Sequence, residues 1–389
     1  MTYIPLRQKT LLAASLAVIA IVGLWGVLDP EGIVAITSRI VDQYFVSRGW
    51  FVMLSVSGTL FLCAGLAVSP WGVIRLGADD DRPEFSTASW IAMLFAAGMG
   101  VGLLFWAVAE PLTHYAFAAE FMDPPVAAGQ ALVATNFHWG FHAWAVYGAT
   151  ALCIAYFSFR RGTPMLVGAP VEYLFPGETW ALIVSWLSDF MSIVAIAIGV
   201  GGSIAMGVFQ VAGGVDVMMG GDGAAGWLVA AVFAAMVAAY LPPLLVDLGA
   251  GMARLSNLAM AMAMAMAIAL GLVAFTVVLG PTQFLMNAII SSFGDYLGAL
   301  IPRGFQTLGF FPGEVTRWFG DWALTYMVWW IAWGPFVGVF VARISRGRTI
   351  REFVLGVLVG PTLFSVLWFG AFGGIGFFDA MRVPVICWR

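Results

Sequence analysis

Two groups of aromatic residues lie near the middle of two long apolar stretches. They are Trp139, Trp144 and Tyr147 in one stretch, and Trp329, Trp330 and Trp333 in the other. Tryptophan in a membrane helix normally lies at the headgroup levels, where its indole N–H stays hydrated. Indole faces near the membrane centre are suited instead to bind a cation that makes no hydrogen bonds, above all a quaternary ammonium. The two groups predict an aromatic cage for a methylated amine.

Helical geometry places each group on one side of its helix. At 100° per residue the first group falls within an arc of about 140° and the second within about 100°. Phe336 and Phe340 extend the second face by one and two turns. A plain apolar helix interface is the alternative. Leucine or alanine would serve that purpose without burying indole N–H groups that need partners, which favours the cage.

A third apolar stretch carries three glycines in five residues: Gly98, Gly100 and Gly102. Each glycine costs about 1 kcal/mol of helix stability relative to alanine, so the helix can open here. In lipid, freed backbone groups are tolerated only where they line a cavity or contact an ion or substrate. Gly98 and Gly102 also form a GxxxG motif, which is common where helices pack closely. Alone the motif favours packing, and the aromatic groups favour a site.

Other candidate residues give a weaker signal. His138 and His142 have the i, i+4 spacing of a metal-binding helix pair, but the chain holds only one further histidine, His114. Hydrogen bonding within a helix bundle is the simpler interpretation. Asp189 and Glu110 are ionisable groups near membrane depth and are functional candidates for that reason, although Glu110 could equally lie at the interface. With no nucleophile–base motif and no full metal set, no catalytic residue and no enzyme activity is predicted.

Composition assigns the chain to the membrane. It is 62% hydrophobic and only 10% charged over 389 residues. A soluble protein that apolar would lack the polar surface needed to stay in solution. Three scattered cysteines, Cys63, Cys153 and Cys387, imply neither a disulfide framework nor a metal site.

About nine segments reach the roughly 20 apolar residues that a bilayer demands. They lie near residues 11–28, 51–70, 88–109, 131–158, 181–211, 226–245, 258–280, 322–343 and 352–375. Arginines concentrate in the even-numbered turns and acidic residues in the odd ones. The positive-inside rule therefore places the N-terminus and the even turns in the cytoplasm. The result is a multi-pass, all-α membrane protein.

The segment from about residue 282 to 301 has a different pattern. Its apolar residues repeat at helical spacing on one side, and polar residues occupy the other: Leu285, Ile289, Phe293, Leu297 and Leu300 against Gln283, Asn287, Ser291 and Asp295. This pattern predicts a helix that lies along the outer membrane surface or packs on a neighbouring subunit.

Three stretches together resemble the betaine/carnitine/choline transporter (BCCT) family of secondary transporters. They are AGMGVGLLFWAVAEPLTHY at residues 97–115, FHWGFHAWAVY at 137–147 and YMVWWIAWGPFVGVFVARISRGRTIREF at 326–353. The stretches occur in the family's order and spacing, and the resemblance covers almost the whole chain.

The resemblance implies a LeuT-like inverted-repeat fold in an assembly that is usually a homotrimer. Residues 1–80 would form two N-terminal peripheral helices and residues 81–281 the first five-helix repeat, broken at 98–102. Residues 282–389 would hold the periplasmic surface helix and the first two helices of the second repeat. The membrane would be the bacterial inner membrane, with the N-terminus cytoplasmic.

The same resemblance implies residue roles. The six aromatic residues of the two groups would hold a trimethylammonium group, and Ala97 and Met99 would line the substrate site. Gly98, Gly100, Gly102, Phe336 and Phe340 would border the substrate path. The backbone carbonyls of Ala96 and Met99 would supply part of a sodium site. Gly102 matches betaine carriers, since the proton-coupled choline members resemble one another in having aspartate there.

Three features depart from the family pattern. Ile196 and Val200 stand where sodium-coupled betaine carriers have hydroxyl residues, and a hard cation needs oxygen ligands, so a second sodium site is not expected. Ala332 replaces a serine common in betaine carriers. The chain ends at Arg389, before the family's last three helices, including one whose hydroxyl residues complete the sodium site.

The sequence therefore predicts a secondary active transporter that imports glycine betaine or a related onium osmolyte. Transport would be sodium-coupled symport by alternating access, with no cofactor beyond that coupling ion and no nucleic-acid partner. The alternative is a truncated, transport-inactive or binding-only fragment of such a carrier. The sequence leaves the choice among betaine, choline, carnitine, ectoine and dimethylsulfoniopropionate open.

Overall fold

The computed structural model describes residues 6–41, 43, 46–98, 100–245, 251–311 and 313–382. These residues form fifteen α-helices. The helices are α1 (Leu6–Leu28), α2 (Pro30–Ile40), α3 (Gly49–Val68), α4 (Thr87–Gly98), α5 (Val101–Ala118), α6 (Pro124–Trp139), α7 (Phe141–Arg161), α8 (Ala169–Leu174), α9 (Thr179–Met218), α10 (Gly226–Leu245), α11 (Gly251–Leu279), α12 (Thr282–Gly304), α13 (Gly313–Phe319), α14 (Thr325–Ile344) and α15 (Ile350–Arg382). Within the described ranges the only β pairing is an isolated bridge between Arg75 and Thr349.

The helices have the length and composition of a multi-pass membrane protein. Seven described segments are long and apolar enough to cross a bilayer: Arg7–Leu28, Val46–Val68, Thr179–Met218, Met260–Leu279, Thr282–Gly304, Gly313–Ile344 and Ile350–Met381. Large apolar side chains on their outer faces are exposed, among them Leu16, Met191 and Phe275. An apolar surface of this extent is typical of helices that contact lipid. The all-α membrane prediction is confirmed.

Two of the nine predicted spans are interrupted near their middle. The predicted span 88–109 is divided into α4 and α5, and 131–158 is divided into α6 and α7. Both interruptions occur at glycine, the residue that a helix interior tolerates least after proline. The interruptions position the candidate site.

Helix α14 lies directly against α7 along a line of small residues. A Cβ atom added to Gly338 would lie 2.8 Å from the Thr150 side chain, and one added to Gly334 would lie 3.3 Å from it. Glycine at these positions therefore allows the two backbones to approach closely. This approach brings the tryptophan run of α14 against the aromatic residues of α7.

The predicted surface helix is α12, and it packs on α3, α6, α11 and α15. Its buried residues include Leu285, Ile289, Ser292 and Tyr296, while Leu297, which was predicted on the apolar side, is exposed. The buried stripe therefore follows Tyr296, because the phenol fits into the α6–α7 interruption described below.

The Arg-rich turns meet at one end of the bundle. Arg346 pairs with Asp81 at 3.1 Å, and Arg343 pairs with Glu84 at 2.6 Å. These contacts join the segment between α3 and α4 to the last turn of α14 and to the turn that follows it. A hydrogen bond from Arg346 and another from a backbone N–H hold the pKa of Asp81 below its ordinary value. The opposite end of the bundle carries the ends of α5 and α12 and the start of α6.

Candidate functional site

The first interruption lies at the predicted glycine segment. Helix α4 ends at Gly98 and α5 begins at Val101, with Gly100 in the N-cap position and no side chain to cap the helix. Met99 lies outside the described residues, and so do the side chains of Ala96 and Ala97. The substrate and sodium contacts predicted for Ala96, Ala97 and Met99 therefore stay predictions.

The second interruption was not predicted. Helix α6 ends at Trp139 and α7 begins at Phe141, with the chain bending at Gly140. The Tyr296 hydroxyl of α12 occupies the bend and accepts a 2.8 Å hydrogen bond from the Phe141 N–H. A Cβ atom at position 140 would lie 2.2 Å from that hydroxyl oxygen, so glycine is required here by close approach.

The carbonyl groups freed at this bend find partners on two later helices. Trp330 Nε1 of α14 donates a 2.8 Å hydrogen bond to the His138 carbonyl. The Ser365 hydroxyl of α15 donates a 3.2 Å bond to the Trp139 carbonyl. Unpaired carbonyls at membrane depth cost several kcal/mol each. The bend is therefore stabilised by side chains from outside the helix pair that forms it.

Four of the six predicted cage residues form one buried chain of ring contacts. Trp139 meets Trp330 with centroids 5.6 Å apart, Trp330 meets Tyr147 at 5.0 Å, and Tyr147 meets Trp144 at 5.6 Å, all edge to face. We call these four residues the aromatic cluster. All four are buried, and the Trp144 indole nitrogen has no hydrogen-bond partner in the described protein.

The aromatic cluster adjoins the first interruption through Gly102. A Cβ atom at that position would lie 3.0 Å from the Trp139 ring. The Trp368 indole of α15 also donates a 3.0 Å hydrogen bond to the Leu103 carbonyl, one turn into α5. The two interrupted helices therefore meet at the Trp139 ring.

The other two predicted cage residues, Trp329 and Trp333, lie in a different environment. They line a cavity of about 390 Å³ together with α9, including Gly199, Gly202 and Ser203. We call this the α9–α14 cavity. Of the predicted path residues, Phe336 is exposed and contacts the Trp333 ring at 5.6 Å, and Phe340 is half-buried against the core.

Glu110 is the central polar residue of the site, and it was not assigned to the site from the sequence. Its side chain is completely buried. One carboxylate oxygen bonds His138 Nδ1 at 2.7 Å and His114 Nε2 at 3.3 Å. The other accepts from Trp139 Nε1 at 2.8 Å and from the Tyr326 hydroxyl at 2.6 Å. Glu110 thus links α5, α6 and α14.

Glu110, His114 and His138 bring three potential metal-ligand atoms within 4.8 Å of one another. A carboxylate has about four lone-pair sites, and four hydrogen-bonding neighbours occupy them here, so the Glu110 carboxylate has its full set of partners. The i, i+4 spacing of Glu110 and His114 is the feature of the sequence that could have indicated this cluster. His142, on the far side of the Gly140 bend, packs instead on the Phe137 ring at 4.9 Å.

Asp189, the other ionisable candidate, makes contacts that hold neighbouring helices together. It accepts a 2.9 Å hydrogen bond from the Gly168 N–H and pairs with Arg7 at 3.3 Å. Arg7 also pairs with Glu172 at 2.7 Å. The group fastens α1 and α8 to α9, away from the aromatic cluster.

Comparison with known proteins places the chain among transporters. A protein-family model described as "BCCT, betaine/carnitine/choline family transporter" matches residues 10–386. The glycine betaine transporter OpuD of Bacillus subtilis is 39% identical over 363 residues, which are 92% of this chain and 69% of that protein.

Two further relatives have similar names. A probable glycine betaine transporter of Desulfitobacterium hafniense is 34% identical over 373 residues, covering 95% of this chain and 72% of that protein. The betaine/ectoine transporter LcoP of Corynebacterium glutamicum is 36% identical over 374 residues, covering 94% of this chain and 58% of that protein.

Proposed function

The chain belongs to the betaine/carnitine/choline transporter family, and from that premise we propose that it imports glycine betaine or a related onium osmolyte. Members of this family are transporters rather than enzymes. The relatives named as betaine transporters make a methylated, permanently charged osmolyte the first substrate class to test.

One observation carries the proposal: two interrupted helices meet at a buried aromatic cluster. Interrupted helices near the bilayer midplane form the substrate and ion sites of many secondary transporters, because their freed backbone groups can contact the substrate or the ion. The Gly102–Trp139 contact places both interruptions beside indole rings. The faces of such rings attract an onium group by its charge, without a hydrogen bond.

The cage would form from both tryptophan environments. The α9–α14 cavity already has room for a small molecule beside Trp329 and Trp333. The aromatic cluster lies on the other side of α14, and its rings cover one another. We propose that alternating access exposes these rings to the cargo in one state and packs them together in another, which requires that the cargo bind the two states with different affinity.

The proposal also includes sodium coupling, a homotrimeric assembly and an orientation in the membrane. Backbone carbonyls at the first interruption would hold the ion, since Na⁺ prefers oxygen ligands as other hard cations do. Ile196 and Val200 of α9 offer no side-chain oxygen for a second ion. The Arg-rich end would face the cytoplasm, and the assembly would be a homotrimer in the bacterial inner membrane.

The test is uptake of radiolabelled glycine betaine into proteoliposomes with and without an inward sodium gradient. We expect concentrative uptake only with the gradient. Uptake that is indifferent to sodium contradicts the coupling, and binding without uptake identifies a binding-only protein.

Variants test the cage in the same assay. A cation–π contact contributes about 0.5–2 kcal/mol, so Trp333→Ala and Trp330→Ala should each weaken the apparent affinity roughly 2- to 30-fold. Trp227→Ala is the matched control, because Trp227 on α10 is exposed. Equal effects from all three variants would exclude a specific role for the cage residues.

A further inference from the structure

Helix α2 lies at the edge of the molecule, between α1 and α3 in the chain. None of its eleven residues is buried, and the described helix that it contacts most is α1. Its rise of about 17 Å is too short to cross a hydrocarbon layer of about 30 Å. The helix must therefore lie in water, along the membrane surface or against another protein chain.

Helix α1 places the start of α2 at the membrane boundary. No charged residue occurs between Lys9 and Asp29, and a helix over residues 10–28 rises about 28 Å, close to the hydrocarbon thickness of about 30 Å. Asp29 follows α1 and caps α2 by accepting a 2.9 Å hydrogen bond from the Gly32 N–H. The charged cap therefore lies at the level where the apolar layer ends.

Tryptophans mark the same level on both sides of α2. Trp25 Nε1 donates a 3.4 Å hydrogen bond to the Asp29 carboxylate. Trp50, the second residue of α3, is exposed and meets the Phe51 ring edge to face. Tryptophan is enriched at membrane–water interfaces. The chain therefore leaves α1 and enters α3 at one interface, and α2 connects the two points.

The residues of α2 divide into an apolar and a polar face. At 100° per residue, the large apolar side chains fall within an arc of about 160°; they are Ile33, Val34, Ile36 and Ile40. Glu31, Ser38 and Arg39 fall within about 100° on the opposite side. Thr37 lies in the apolar arc, but its hydroxyl donates a 2.8 Å hydrogen bond to the Ile33 carbonyl. This pattern is typical of helices that lie in the plane of a membrane interface.

A contact with α1 indicates which way the apolar face points. A Cβ atom added to Gly26 would lie 3.9 Å from Ile33 Cδ1. Ile33 therefore reaches back beside α1, on the membrane side of Asp29. Because Ile33 lies near the centre of the apolar arc, the whole apolar face is turned toward the hydrocarbon and the polar face away from it.

The apolar face also continues the lipid-facing surface of α1. Large apolar side chains near the end of α1 are exposed: Leu24, Val27 and Leu28. Val34, Ile36 and Ile40 of α2 are exposed as well. The two surfaces adjoin each other, so the lipid that covers the end of α1 can cover the apolar face of α2.

We propose that α2 is a membrane-surface anchor, which lies among the lipid headgroups with its apolar face in the upper part of the acyl chains. Interfacial helices bury this face about 5–10 Å into that boundary. Arg39, on the polar face, lies at the level of the lipid phosphates, which a guanidinium binds through paired hydrogen bonds. In the orientation proposed above, the leaflet is the outer one. The inference needs only the membrane fold, and it holds for any cargo.

Nitroxide accessibility in the full-length protein, reconstituted in lipid nanodiscs, tests the anchor. Single cysteines are introduced in a background that lacks the native cysteines. Each label is then probed with oxygen, which dissolves in lipid, and with a water-soluble nickel chelate. The ratio of oxygen to nickel access should be severalfold higher for Val34→Cys and Ile40→Cys than for Ala35→Cys and Ser38→Cys. Leu16→Cys gives the lipid reference, because Leu16 is an exposed residue within α1.

Two results would overturn the anchor. Equal nickel access on both faces of α2 would place the helix in water. Exclusion of both oxygen and nickel from Val34→Cys and Ile40→Cys, with Leu16→Cys still open to oxygen, would mean that protein covers the face. A second copy of the chain would be identified by dipolar broadening between the labels.

A matched pair of charged substitutions tests the apolar face itself. With the label at Ile40→Cys, Val34→Asp adds a carboxylate to the apolar face and should raise nickel access severalfold. Ser38→Asp adds the same charge to the polar face and should leave nickel access unchanged. The Leu16→Cys label should give the same reading in both variants, which controls for the folding of α1. Unchanged nickel access in Val34→Asp would also overturn the anchor, and none of these measurements depends on betaine transport.

Discussion

The two faces of α14 carry tryptophans that look equivalent in the sequence and occupy opposite environments in the structure. Trp330 is buried, contacts two other rings and donates its N–H to the His138 carbonyl. Trp333, three residues later, is half-exposed and lines the α9–α14 cavity. The Trp330 face of α14 is packed and hydrogen-bonded, whereas the Trp333 face borders a cavity.

The difference between the two faces indicates which substitutions should change stability and which should change binding. A residue that completes a hydrogen-bond network contributes to stability whether or not cargo is present. A residue that lines a cavity contributes to stability mainly once the cavity is occupied. Substitutions on the Trp330 face should therefore change folding and binding together, and those on the Trp333 face should change binding alone.

The largest expected effect comes from removing the carboxylate that supports the Trp330 face. Glu110→Ala leaves four buried side chains without their shared partner, and breaking such a buried charged network costs about 3–5 kcal/mol. We expect a large fall in thermal midpoint in detergent and loss of betaine binding. Glu110→Gln keeps the shape and should be milder. A midpoint equal to the wild type in Glu110→Ala would contradict the network's structural role.

A smaller effect distinguishes the two faces directly. Trp330→Phe keeps a ring and removes the N–H, leaving the His138 carbonyl unpaired at a cost of about 1–3 kcal/mol. Trp333→Phe should change stability by less than about 0.5 kcal/mol. Thermal unfolding of both variants without ligand gives the answer. Equal destabilisation would mean that the two faces do not differ as described.

Gly199 offers a smaller change confined to the cavity face. A Cβ atom there would lie 2.7 Å from Trp333 Nε1, whereas at Gly202 one turn away it would meet nothing within 4 Å. Gly199→Ala should therefore reduce betaine uptake severalfold, and Gly202→Ala should not. Each replacement adds about 1 kcal/mol of helix propensity, so the two variants differ only in the contact with Trp333, and their thermal midpoints show whether that contact also changes stability. Identical uptake in the two variants would separate Trp333 from the transport path.

The smallest expected effect comes from Asp81, a partly exposed carboxylate at the Arg-rich end of the bundle. Because Arg346 lowers its pKa in the folded protein, the pair stabilises the fold above the pKa of the unfolded chain. That contribution is lost as the pH falls through the lowered pKa. The thermal midpoints of wild type and Asp81→Asn should therefore differ slightly near neutral pH and converge in acid. A difference that grows in acid would contradict the assigned direction.

The membrane fold follows from local sequence. Seven segments remain apolar for the length of a bilayer, and that property is independent of what each helix contacts. The interruption at Gly98–Val101 coincides with three glycines whose propensities add up over a few residues. Local signals of this kind need no knowledge of the tertiary structure.

The bend at Gly140 and the place of Glu110 depend on distant residues. One glycine between two strongly helical runs is a weak signal, and the bend exists because Tyr296, Trp330 and Ser365 satisfy the groups it frees. The same holds for the tryptophans of α14. Helical geometry places all three within one arc, but their neighbours, α7 on one side and α9 on the other, decide which is buried.

The Tyr296 hydroxyl has a mechanical consequence. It occupies the bend between α6 and α7, and it belongs to a helix whose other buried residues pack on α15. A change in the angle between α6 and α7 must therefore either break the bond to Phe141 or move α12 in the same direction. Any change of the angle at Gly140 should therefore be measurable as a distance change between α12 and α7.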